Sequence, residues 1–331
     1  MISQLISQAK KNTRKTNPSL FALLKRLDSE VAEKGKYTIG RDGMFRCTLR
    51  AAFVKAFEFA RFTNSIRIER ADQTCFFMAS ALRGICEDLI TLKFLRRLPR
   101  KDRDDVMMLE MSMVLHKRIG AQTEFFLKER PFQLVMQGLE DEEHIRNLQE
   151  RLHAIGQRSG LWNTEKKLLP IEQMAIKLQM KPTYDYFYRV TSDVVHFNPG
   201  IALRSGWSQN GDPPTKGSFS TKNFTRYYLA FCQVYGTWLF IKIARAFAKD
   251  LTLSKPFRNI LTSVEKQLNE LARWPEAVTF EEMNRKPPNI VERVVMRVMW
   301  DDPTGRRRLR ARARESLKKP VRKSRSSGNP K

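Results

Sequence analysis

Histidine and cysteine are scarce in this chain: its 331 residues include four of each. Cys47, Cys75, Cys86 and Cys232 are scattered, with no CxxC pair, and three of them sit in apolar stretches. A disulfide framework is excluded, and the reading is reduced core cysteines in a cytoplasmic protein. His116, His144 and His153 lack HExxH spacing, and Glu142-Glu143-His144 reads as a solvated charge run, so neither a metal nor a cofactor is expected. No GxGxxG or GxxxxGK[ST] loop cradles a nucleotide, and no GxSxG elbow presents a serine nucleophile. Glycine and proline, fifteen of each, are too few for a turn-rich all-β fold. Met1–Lys15 holds no apolar run of signal length. The best membrane candidate, Tyr227–Ile241, has fifteen uncharged residues against the roughly 20 that span a bilayer, and it contains Gln233 and Thr237. It reads as a central core helix, with no membrane partner.

Acidic residues are also short: 35 Asp and Glu face 61 Lys and Arg, a net charge of +26. Twelve basic and three acidic residues from Asp301 to Lys331 account for +9, which leaves +17 spread over the body. Arg306, Arg307, Arg308, Arg310, Arg312 and Arg314 stand almost together, with little apolar surface to bury between them. Residues 304–331 are therefore expected to lack fixed structure and to bind phosphate backbones, with RNA the favoured partner.

At 41% hydrophobic and 10% aromatic the rest of the chain folds. Helical spacing recurs along it. Asn17-Pro18 opens a helix carrying Leu20, Leu23, Leu24, Leu27 and Val31. Tyr37–Phe45 fits a small hairpin or a loop. Further helices are read around Phe53–Ala60, over 72–98, over 104–128 (Met107, Met111, Val114, Leu115), over 140–157 and over 170–180. Residues 198–220 are the longest irregular segment, a surface loop. Helices follow over 221–248 and around Phe257–Leu271. A capping box at Thr279–Glu282 then precedes Ile290, Val291, Val294, Val295 and Val298. The fold class is all-α, a multi-helix bundle with a C-terminal helical extension and a disordered basic tail. Four regions are expected: an N-terminal segment 1–47, a helical core 48–250, an extension 251–303 and the tail 304–331.

Two polar stripes interrupt this apolar pattern. Asp185, Arg189, Ser192, Asp193 and His196 recur at i, i+4, i+7, i+8 and i+11, on one side of a helix otherwise rich in aromatic and apolar residues. Ser80, Arg83 and Glu87 share one face of a helix that is apolar nearly all round. Buried charges need partners, and Arg83 and Glu87 can pair at i, i+4 or meet the first stripe across a helix interface. Removing one member of such a sealed pair costs about 3–5 kcal/mol. The bland alternative for both stripes is an ion-pair network that locks the bundle.

The combination Leu82-Arg83-(x3)-Glu87 and, about a hundred residues on, Tyr188-Arg189-(x2)-Ser192-(x3)-His196 resembles an uncharacterised family of bacterial helical proteins. That family is similar in turn to the HEPN superfamily (higher eukaryotes and prokaryotes nucleotide-binding). Many HEPN members are metal-independent ribonucleases of toxin–antitoxin, abortive-infection and CRISPR systems, marked by Arg, four to six residues, then His. Six residues lie between Arg189 and His196, with Val190 where a polar residue is common. The resemblance spans roughly residues 48–250. It implies a homodimer that joins two stripes, and an antitoxin or other defence partner.

The chemistry fits the residue types independently. RNA cleavage by the 2′-hydroxyl needs a proton carrier, which His196 supplies, and a cation for phosphorane charge, which Arg189 supplies. Asp193 fixes the imidazole, Ser192 donates to a phosphate oxygen, and Arg83, Glu87, Asp185 and Tyr188 support the site. The competing reading is a non-catalytic nucleic-acid-binding helical protein whose stripes are structural. Exposure discriminates the two, because a cleft serves catalysis and a sealed core does not.

Deleting residues 304–331 removes +11 of charge, twelve Lys and Arg less Glu315. The slope of log affinity for RNA against log salt should then fall by several phosphate equivalents, measured by fluorescence anisotropy. An unchanged slope places the contacts on the helical body.

Overall fold

The computed structural model describes residues 19–38, 42–136, 142–162, 168–196, 219–271, 273–279 and 289–318. Among them are twelve α-helices and no strand. The chain divides into two compact units, Met1–Ala277 and Val278–Lys331.

The first unit begins with α1 (Leu20–Lys25) and α2 (Asp28–Gly35). The Ser19 hydroxyl caps α1 by accepting from the Ala22 N–H at 3.2 Å. The single helix expected here breaks at Arg26–Leu27, yet Leu23, Leu24, Leu27 and Val31 still share one buried face. Asn17 and Pro18 lie outside the described residues, as do residues 39–41 of the hairpin alternative. That alternative fails at Met44–Phe45, which open α3 (Met44–Ser65). Gly43 has no side chain to cap α3, so the Asp104 carboxylate accepts from the Phe45 N–H at 2.8 Å instead.

After a 3₁₀ turn at Ile68–Arg70 come α4 (Thr74–Leu95), α5 (Arg100–Glu129), α6 (Glu142–Ser159), α7 (Ile171–Lys177) and α8 (Lys181–Val195). α9 (Thr225–Ala246) and α10 (Lys255–Glu270) complete the unit. Most of the expected loop 198–220 lies outside the described residues. α9 packs most extensively on α4 and α3, and α8 lies on α4. Aromatic rings fill these contacts: Phe240 sits 5.8 Å from Phe53 and 5.3 Å from Phe57, between centroids.

Gln233 and Thr237, the polar residues of the apolar run, meet the end of α3. Gln233 Nε2 donates to the Thr63 and Ile66 carbonyls at 3.0 Å each, and Asn64 Nδ2 donates to Thr237 Oγ1 at 2.9 Å. Gln233 thus adds a donor at the carbonyl end of α3, where the helix supplies few of its own. No described helix is long and apolar enough to cross a membrane. Cys75, Cys86 and Cys232 are buried and unbridged. Burial pushes the Cys86 thiol up to about 12.

The compact unit runs through both boundaries read at 47/48 and 250/251. α1 packs on α3 and also on α10, whose first turn the Ser254 hydroxyl caps. The Glu30 carboxylate accepts from that serine's N–H at 2.8 Å and its hydroxyl at 2.6 Å, which ties α2 to α10. On α5 the buried face is not the expected one, of which Met107 alone is even half-buried. Val106, Leu109 and Met113 are buried, whereas Met111, Val114 and Leu115 are exposed.

The second unit holds α11 (Ile290–Asp301) and α12 (Pro303–Lys318). Its capping box is Asn289 with Glu292, while Phe280–Glu282 of the expected box fall outside the described residues. Val291, Val294, Val295 and Val298 are exposed on α11. The segment expected to lack fixed structure from residue 304 is helical to Lys318, and residues 319–331 lie outside the described residues. Asp302 starts that helix by accepting from the Gly305 N–H at 2.6 Å.

A Cβ at Gly236 of α9 would lie 2.7 Å from the Phe59 ring of α3. Alanine gains about 1 kcal/mol in helix propensity, but overpacking costs about 1–3 kcal/mol. Gly236→Ala should therefore lower stability by about 1 kcal/mol in urea denaturation with an unchanged m value. A gain in stability would show that α3 and α9 are free to separate.

Candidate functional site

α8 meets two environments. Phe187 and Thr191 are buried on the core side, where the Thr191 hydroxyl is satisfied by the Phe187 carbonyl at 2.7 Å. Tyr186 donates to the Tyr235 hydroxyl at 2.7 Å, and Tyr235 donates to the Pro275 carbonyl at 2.6 Å. Burial, reinforced by the bond to Tyr235, pushes the Tyr186 phenol far above its ordinary range, so this network stays protonated and structural. The spacing of i, i+4 brings Tyr184 and Tyr188 together on another side, with ring centroids 5.6 Å apart.

That aromatic pair meets the polar face of α4. The Arg83 guanidinium carbon stands 4.3 Å from the Tyr188 ring centroid, a cation–π distance. Arg83 Nε donates to Glu87 Oε1 at 2.8 Å along the same helix. Arg83 Nη1 is 2.9 Å from His196 Nε2, 113 residues away in the chain. Glu87, Arg83 and His196 thus form one hydrogen-bonded line across two helices, laid over an aromatic ring. A guanidinium only donates, so His196 Nε2 accepts in this contact and the ring proton sits on Nδ1.

Arg83 and Glu87 retain 22% and 25% side-chain exposure, and Tyr188 38%. Burial pulls the guanidinium's proton affinity down, but the hydrogen bond and charge of Glu87 outweigh it and raise the affinity overall. Burial, aided by the Glu87 charge, also raises the Tyr184 phenol. The cluster holds a fixed positive charge, an aromatic face and an exposed imidazole in one place. Such a set can grip a phosphate and move a proton beside it.

The structure partly redistributes the expected roles. His196 sits at the C-cap of α8, in extended conformation, its N–H bonded to the Ser192 carbonyl at 2.9 Å. The cation beside it is Arg83 from α4, and Arg189 is exposed on α8. Ser192 donates its hydroxyl backward to the Tyr188 carbonyl at 2.6 Å, so that proton is committed within the helix. Asp185 pairs with Lys181, which also reaches Glu172 at 3.1 Å. The Asp193 side chain lies outside the described residues. Ser80, the third member of the α4 stripe, donates to the Phe77 carbonyl at 2.6 Å. Tyr184 was overlooked as a site residue, although the spacing Tyr184–Tyr188 carried the signal.

Among the described residues no group of three or more His, Cys, Asp or Glu side chains is arranged to hold a metal. In the second unit Arg306 and Arg310 flank Trp300, each 5.4 Å from its ring, and Arg306 Nε donates to the Trp300 carbonyl at 2.8 Å. Arg307, Arg308, Arg310 and Arg314 are exposed, while the Arg312 side chain lies outside the described residues.

Fold and cluster define an all-helical protein with a half-exposed His–Arg–Glu line on its core helices. Residues 78–213 match a family of unknown function, DUF5677, and this segment contains every residue of the cluster. No curated protein and no solved structure matches the chain.

The polar face of α4 is half-exposed rather than sealed, which corrects the expected cost of breaking its ion pair. Solvent can replace a lost partner at this depth. Glu87→Ala should therefore cost about 1–2 kcal/mol, read from the urea midpoint. A loss of 3 kcal/mol or more would place the pair in the core after all.

Proposed function

We propose that this is a nucleic-acid-associated helical protein whose His196 cluster cleaves RNA without a metal, as a HEPN-like ribonuclease of a bacterial defence or toxin module. The observation that carries this reading is the 2.9 Å approach of Arg83 to His196 at a half-exposed aromatic face. A lone histidine in a helix C-cap has no fixed cation beside it. Here one comes from another helix, held from behind by a carboxylate.

In this reading the RNA phosphate lies against the cluster. The 2′-oxygen attacks the adjacent phosphorus and gives its proton to imidazole. The bond to the 5′-oxygen breaks, and that oxygen leaves with a proton from an imidazolium. The products are a 2′,3′-cyclic phosphate and a 5′-hydroxyl. The guanidinium offsets the extra negative charge on the phosphorane, which is the largest electrostatic demand of the reaction. Arg189, on the exposed side of α8, contributes only general positive charge, and the arginines of α12 add non-specific phosphate affinity. A second copy of the chain would bring a second His196, so that one ring accepts while the other donates.

The alternative, a non-catalytic nucleic-acid-binding protein, is favoured by the many hydrogen bonds that the stripes spend within the protein. Exposure supports the catalytic reading over it, since Tyr188, Arg189 and His196 all reach solvent. A gel assay with purified protein separates them. His196→Ala should lower the rate by about a hundredfold or more, the usual contribution of a positioned proton carrier. Circular dichroism should stay unchanged, and EDTA should have no effect. Cleavage that survives His196→Ala, or that EDTA abolishes, removes this site from the reaction.

A further inference from the structure

We propose that Arg83 is the phosphate receptor of this site and that Glu87 is its positioning residue. The inference rests on the reading of the cluster as a nucleic-acid site and deepens it. It departs from the spacing pattern on α8, where the arginine in register with the histidine is Arg189.

The argument is geometric. A guanidinium carries five N–H donors in a rigid plane. Glu87 takes Nε at 2.8 Å, and His196 takes one hydrogen of Nη1 at 2.9 Å. The Tyr188 ring supports the face from 4.3 Å. One edge, one end and one face are thereby fixed, so the fork cannot swing. Of the five donors, three are left uncommitted among the described residues: the second of Nη1 and both of Nη2. Paired donors in a fixed plane match the spacing of two phosphate oxygens. Arg189 differs in that no hydrogen bond or ion pair anchors it among the described residues, so a ligand that used it would first have to order a long side chain. Glu87 reaches the ligand only through Arg83, because its carboxylate grips the guanidinium by the Nε edge.

The contact with His196 adds a consequence for the order of events. While Arg83 donates to Nε2, the lone pair that would take the 2′-hydroxyl proton is occupied. A phosphate that docks on the free Nη1 and Nη2 hydrogens brings its anionic oxygens beside the committed Nη1 hydrogen and, as a stronger acceptor than imidazole, competes for it as well. Phosphate binding therefore releases Nε2 beside the bound phosphodiester, and the base is unmasked only when substrate is present. The ligand class is a phosphate ester, either a nucleic-acid phosphodiester or the phosphate of a free nucleotide.

The test separates receptor from reaction. Full-length protein carrying 15N-labelled histidine is titrated with three probes: inorganic phosphate, a nucleoside monophosphate, and a 2′-deoxy dinucleotide that cannot be cleaved. In wild type, the His196 Nε2 resonance should move as the probe replaces it on Arg83. The dinucleotide should bind more tightly than the mononucleotide if the source is a nucleic acid, and the reverse order would assign a free nucleotide. Arg83→Lys should weaken binding by about tenfold or more, because an ammonium lacks the planar fork, whereas Arg189→Ala should change it less than about threefold. Glu87→Gln keeps shape and an acceptor for Nε but loses the charge, so it should raise KM for RNA more than it lowers kcat. Glu87→Asp should recover part of the loss, an outcome that a merely structural carboxylate would not give. No movement of the His196 resonance with any probe, or binding lost through Arg189→Ala and kept in Arg83→Lys, overturns the proposal. RNA cleavage by wild type with either of those results would leave the ribonuclease reading standing. Probe binding through Arg83 without cleavage would do the opposite.

Discussion

Two helices in this protein cannot be exposed to water, and the rest of the first unit is arranged around covering them. α4 buries Phe76, Leu82, Ile85, Leu89, Ile90, Phe94 and Leu95, and α9 buries Phe231, Leu239, Phe240, Ile241 and Ile243. Full burial of each such side chain is worth about 1.5–3 kcal/mol, so separating α4 from α9 would expose more apolar surface than a domain's net stability can offset. α3 seals one side of the pair and α8 lies on another. The polar side chains that α9 carries into this interior are spent on the end of α3: Gln233 donates to the Thr63 and Ile66 carbonyls, and Thr237 accepts from Asn64.

The same constraint builds the site. α4 is buried along most of its circumference, but Arg83 and Glu87 sit where it meets the edge of the bundle. α8 is locked by Phe187 and Thr191 on one side and by the Tyr186–Tyr235–Pro275 chain on another. With both helices immobilised, Tyr188 and His196 have a fixed reach toward Arg83. The site is thus preorganised by hydrophobic packing, and its polar contacts supply orientation. Half-exposure matters here, because full burial would make the cation inaccessible and full exposure would let it swing.

Charge operates over a longer range. A net charge of +26 creates a field that draws any polyanion toward the molecule, and salt screens that attraction within about 8–10 Å at physiological strength. Specific contact depends on a few oriented donors. Arg83 is such a donor, aimed by three partners. The arginines of α12 are more numerous and less constrained, apart from Arg306 and Arg310 against Trp300.

Much of the fold was legible in the sequence because helical amphipathicity is a local property. The faces read from spacing over Leu20–Val31, Ile145–Ile155 and Phe257–Leu271 face the core, with Leu20, Ile145 and Ile260 half-buried and Leu271 exposed. The apolar run Tyr227–Ile241 was legible as a core helix for the same reason. The spacing of Arg83 and Glu87 sufficed to predict their pairing, since four residues in a helix is a contact by itself. The capping of α3 by Asp104 and the bond from Ser254 to Glu30 were not legible, because each joins residues that only packing brings together, and no proline or glycine marks the break at Arg26–Leu27. The choice of Arg83 over Arg189 as the neighbour of His196 belongs with them. In the sequence both arginines stand in plausible patterns, one in register with the histidine and one more than a hundred residues away. Spacing along α8 defines which residues share a stripe, but the contact across to α4 depends on how two helices lie against each other, and that angle is set by the whole apolar core.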